Sequence, residues 1–148
     1  MLNTNSLPRQ PLRLVDWEVR LAAVTEKHLH LAGEWGKSDC LITVADAIRA
    51  VIGKDHARMI RGKYTTELGA AKIMKRRGFA TVEDVLASRF PPVGRLLAQR
   101  GDVGVVERNG VISAGYVTEY GFAVKSETGL EFIPQTEIRS AFAIGRRD

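Results

Sequence analysis

The feature that most narrows the possible folds is a change of hydrophobic period partway along the chain. Up to Phe90-Pro91-Pro92 the apolar residues recur at helical spacing, and from Gly101 onward they fall in short β-branched runs between turn residues. Helices first and strands second is the order of an α+β fold, with an antiparallel sheet closing on amphipathic helices. The 148 residues hold no internal repeat and no Gly/Ser linker, so a single domain over 1–148 is expected. Its parts are an arm over 1–15, a helical half over 16–92 and a sheet over 101–145.

Local signals place the elements. Asp16 is a cap for a first helix carrying Trp17, Leu21, Val24, His28 and Leu31, ending near Gly33. Ser38 or Asp39 caps a second over 39–52, whose apolar face is Leu41, Val44, Ala45, Ile48, Val51 and Ile52, with Gly53 as the stop signal. Asp55 opens a short helical stretch to about Arg61, and Thr65 or Thr66 caps a helix expected to bury Leu68, Ala71 and Met74 before Gly78. Thr81 with Asp84 forms a capping box ahead of Val85 and Leu86. In the second half VGVVE, VISAGYVT, FAVKS and LEFI read as strands, with Asn109-Gly110 as the strongest hairpin signal and AFAIG as a further strand.

Several function classes fall away on composition. No run approaches the roughly 20 apolar residues that cross a bilayer, and MLNTNSLPRQP has neither a charged leader nor an apolar core, so synthesis in the cytoplasm without a signal peptide is expected. One cysteine makes no internal disulfide and no multi-cysteine zinc site. His28 and His30 stand as His-x-His without a second ligand pair, and no metal or other cofactor is expected. The net charge of +5 favours anionic partners. Lys72, Lys75, Arg76 and Arg77 read as a solvated helix end, and nucleic-acid binding, which needs a wider patch or interleaved aromatics, is not expected.

The chemistry-bearing candidate is Cys40, at or beside the first position of the second helix. Unpaired N–H groups and the helix dipole there stabilise an anion such as a thiolate. The plain alternative is a small apolar residue covering the helix end. Trp35, next to Gly36, either floors a groove or closes the core. Arg100-Gly101-Asp102 reads as a turn ahead of a strand.

The stretch WGKSDCLITVADAI resembles the Trp-Gly followed by Asp-Cys that opens the catalytic helix of NlpC-like, papain-related cell-wall peptidases and of a phage-encoded branch of uncharacterised function. Arg100-Gly101-Asp102-Val103 is similar to the Gly-Asp turn before the first core strand of that fold, and Arg61-Gly62-Lys63-Tyr64 to the spacer of the phage-encoded branch. The resemblance spans roughly residues 35 to 145 and implies a papain-like, NlpC-type fold. It places the nucleophile at Cys40, with Trp35 and Asp39 as substrate-side residues. In that fold the base is a histidine at the start of the second core strand, matching Val111 to Val117 here, and Ser113 or its neighbour takes that place. A serine cannot accept the thiol proton near neutral pH, and no histidine follows His56. His28 is expected in an apolar stripe, His30 on a wet face and His56 on a first-turn surface.

Such relatives travel with tail-assembly genes. The resemblance therefore implies a structural virion component of a phage or phage-like tail tip or baseplate, docking on hub or distal tail proteins and not dependent on turnover. The alternatives are an active cysteine amidase or endopeptidase acting on peptidoglycan, and a small basic module that binds nucleic acid.

Overall fold

The strongest helical pattern in the sequence becomes the central element of the structure, a computed structural model that describes residues 7–146. The first six residues of the expected arm lie outside the described residues. Helix α2 (Cys40–Ile52) begins where the Asp39 side chain accepts the Ile42 N–H and ends at Gly53, whose left-handed φ of 79° lets its own N–H close on Arg49. It is buried on nearly every side, as a helix apolar on most of its circumference must be. Helix α1 (Trp17–Leu29) packs along it, with Leu21 and His28 turned inward.

The sheet is antiparallel and six-stranded. Strands β2 (Val103–Arg108), β3 (Val111–Thr118), β4 (Gly121–Lys125) and β5 (Leu130–Ile133) form a meander. Strand β6 (Ser140–Phe142) returns to pair with β2, and β1 (Pro92–Val93) pairs with β6 to give the order β1-β6-β2-β3-β4-β5. The expected α+β architecture is therefore present, with the helical half packed on the sheet through α1, α2 and α4 (Val82–Arg89). The hairpin at Asn109-Gly110 has both residues at positive φ, 54° and 77°, the geometry of the two-residue turn that matches strand twist.

Four local expectations differ from the structure. Helix α1 stops at Leu29 rather than near Gly33, because Lys125 from β4 takes up the carbonyls of His28 and Leu31 at its end. Residues 55–61 form consecutive turns, not a helix: the Asp55 carboxylate accepts the Ala57 N–H and the Arg61 guanidinium, and Gly62 N–H pairs across to Gly36. In α3 (Glu67–Arg76), Ala70 is buried with Ile73 and Met74 half-buried, while Leu68 and Ala71 face solvent. Gly69 favours that rotation, since a Cβ there would stand a tight 3.1 Å from the Tyr64 Cβ. Finally, Pro92–Val93 joins the sheet, so the helical half ends at Arg89.

The Arg100-Gly101-Asp102 turn is an internal corner. Asp102 is fully buried and accepts hydrogen bonds from Gln99 N–H, Ile144 N–H and Arg13, whose guanidinium also donates to the Arg100 and Ile144 carbonyls. One carboxylate thus joins the arm, the start of β2 and the chain after β6.

Candidate functional site

Three signals read from sequence, Trp35-Gly36, Asp39 and Cys40, prove to be one hydrogen-bonded lock. The Asp39 carboxylate accepts Ile42 N–H at 3.0 Å, Gly36 N–H at 2.8 Å and the Tyr64 hydroxyl at 2.6 Å. Burial, then the bond to Asp39, pushes the Tyr64 phenol far above its ordinary value, so it stays protonated and donates. Gly36 has φ of 83°, and a Cβ on it would lie 2.1 Å from the Tyr64 carbonyl oxygen. No other residue fits there. Asp39 therefore has its oxygens committed to the loop and the helix start, which leaves it a positioning residue.

The lock delivers Cys40 to the amino end of α2, facing β3. Cys40, Ser113, Trp35 and Asp39 line one groove of about 480 Å³, whose rim also carries the carboxylates of Glu34, Glu67 and Glu127 and the Lys125 side chain. The structure thus brings the cysteine, its expected strand partner and the tryptophan together. Trp35 is 40% exposed, a groove wall rather than a core plug. The strand group that reaches the sulfur is the Ala114 N–H, next to Ser113.

The electrostatics at the sulfur run against activation. Burial is the largest influence and raises the Cys40 thiol above its ordinary value, and the Asp39 carboxylate adds to it. The N–H groups of Ala114, Leu41 and Cys40 pull the other way without reversing the result. The helix-end expectation of a stabilised thiolate is corrected accordingly: desolvation on folding outweighs the N–H groups at the helix start.

No imidazole lines the groove. His28 is fully buried and turned away, its Nε2 2.7 Å from the Asp46 carboxylate. Its Nδ1 lies 3.1 Å from the Lys125 ammonium, which donates, so Nε2 carries the ring proton. His30 lies in solvent beside Glu26. His56, expected on the surface, is half-buried edge-on against Phe90, and burial with Lys54 and Arg89 lowers its pKa to about 4.

Sequence reasoning missed Lys125, Tyr64 and the Asp46–His28 pair. Lys125 lines the groove, yet its ammonium is spent on the carbonyls of His28 and Leu31 and on the His28 ring, where it finishes α1. Asp46 also binds Arg61 at 2.6 Å, and Arg61 in turn holds Asp55. No short-range signal could have found Lys125 and His28, which meet across 97 residues of chain. Among the described residues no three His, Cys, Asp or Glu side chains gather as metal ligands would, and no helix is long and apolar enough to cross a membrane.

Residues 12–144 match a family model described as a domain of unknown function, DUF6950. No curated protein and no solved structure matches the chain.

Proposed function

We propose, for a chain that belongs to the DUF6950 family, a structural role in the virion: a component of a phage or phage-like tail tip or baseplate, built on a papain-like, NlpC-type fold whose peptidase chemistry has been lost. The observation that carries this reading is the groove itself. Cys40 stands at the head of the central helix with Ser113 on the facing strand, and no imidazole lines the groove to take up a thiol proton that burial already holds in place. Beside the thiol the Asp39–Gly36–Tyr64 lock is fully hydrogen-bonded, which makes the loop and helix start rigid. A rigid adaptor made in the host cytoplasm and docked on hub or distal tail proteins needs that property and no turnover.

The competing reading is a cysteine amidase or endopeptidase that opens peptidoglycan, favoured by the Trp35-walled groove at Cys40. One experiment separates them. Deleting this gene from the particle that encodes it is expected to give defective tails in electron micrographs, and complementation with wild type or Cys40→Ala is expected to restore them equally. Purified wild type is expected to digest peptidoglycan no faster than Cys40→Ala. Normal particles that fail at entry, rescued by wild type and not by Cys40→Ala, would establish the enzyme instead.

A further inference from the structure

The cations of this chain fall into two populations. Arg100, Arg108 and Arg139 are matched by Glu18, Glu131 and Glu83 with Glu107. Arg9, Lys54, Arg58, Arg77 and Arg89 are not: among the described residues none of the five forms an ion pair. They come from the arm, the turn after α2, the 55–61 turns and the carboxyl ends of α3 and α4. The fold gathers them around two adjoining clefts of about 510 and about 70 Å³ that share Lys54, His56 and Arg89. The one carboxylate in the lining, Asp55, is already held by Arg61. At the base, the His56 Nδ1 is buried with no hydrogen-bond partner.

Unmatched like charges drawn to one place repel one another, and an anion relieves that repulsion. We propose that this cleft docks the phosphodiester backbone of duplex DNA without sequence preference, a reading that stands independently of the tail-tip role. Four of the five cations are arginines, whose forked donors match phosphate oxygens. The lining offers no exposed aromatic ring, which removes the stacking platform that single strands require. Its one exposed large apolar side chain is Met59, too little for the anchored apolar centre of a protein interface. Interfaces with duplex DNA are polar and strongly positive, as this cleft is.

The test is anisotropy of a labelled random-sequence duplex titrated with the full chain over a salt series. Wild type is expected to bind at low salt. The triple variant Arg58→Ala, Arg77→Ala, Arg89→Ala is expected to flatten the plot of log affinity against log salt by about 2 to 3, since each lost phosphate contact removes about 0.9. A second triple removes the same charge elsewhere, Arg20→Ala, Arg95→Ala, Arg108→Ala, and is expected to keep the wild-type slope. Should the first triple fail to fold, the single variants Arg58→Gln and Arg77→Gln read the same loss one contact at a time. Absence of binding at low salt, or an equal fall in both triples, would overturn the proposal. So would polyglutamate displacing the duplex as well as unlabelled DNA does, since that would make the cleft a site for acidic protein.

Discussion

At the scale of single residues the structure separates position from reactivity. The place of Cys40 at a helix start was legible from Asp39 and the apolar residues after it, because capping and periodicity are local. Its protonation was not, because the burial that dominates it exists only once the chain is folded. With its pKa raised, Cys40 is expected to react with iodoacetamide more slowly at neutral pH than a free thiol does. The midpoint of its rate against pH is expected above the ordinary cysteine value of about 8.5. Unfolding in urea should restore the free-thiol rate. A midpoint displaced downward in the folded protein would show an activated thiolate and remove the main support for a silent groove.

Among the elements, those fixed by near neighbours were readable and those fixed by distant partners were not. The capping box at Thr81 and Asp84, the stop at Gly53 and the Asn109-Gly110 hairpin all stand as their residues suggested. The 55–61 turns and the return of β6 to β2 depend on Gly36 and the β2 edge, neither of which is a local neighbour, and the rotation of α3 rests on its packing against Tyr64, which no periodicity marks. Gly115 shows how narrowly the sheet is fitted. A Cβ on it would lie 2.4 Å from the Ala123 carbonyl oxygen and 2.6 Å from the Phe122 ring. Gly115→Ala forces β3 from β4 or the ring from its seat in the core, and is expected to cost about 1 to 3 kcal/mol as overpacking does. A lower urea midpoint with an unchanged slope would report that loss, and an unchanged midpoint would mean the sheet yields more easily than its packing suggests.

For the molecule as a whole, charge in the sequence is a sum and the fold supplies the map: Arg61, Arg100, Arg108 and Arg139 are ion-paired, while five cations without an ion pair among the described residues border the two adjoining clefts. The same map predicts a two-stage loss of stability in acid. His56 titrates at about 4 when folded and at 6.5 when free, so between those values the unfolded chain binds the extra proton and stability falls as pH falls. Below that window Asp55 and Asp46 take over. The Arg61 bond holds Asp55 below its ordinary value, and for Asp46 the bonds from His28 and Arg61 outweigh the upward push of burial. Their contribution is present above the ordinary carboxylate range and is lost as pH drops through the folded values. Thermal midpoints against pH are expected to lose the upper stage in His56→Phe and keep the lower one, whereas an unchanged upper stage would assign it to another group. The Asp102 corner carries one more consequence, a mechanical one. Arg13 grips Asp102 beside the bridge between Leu12 and Arg146, where the Arg146 N–H meets the Pro11 carbonyl and the arm and the segment after β6 run parallel. Because the two run parallel there, tension on the arm toward its amino end and on the last segment toward its carboxyl end pulls them past one another, so the bridge and the Arg13–Asp102 grip are loaded in shear and not peeled open.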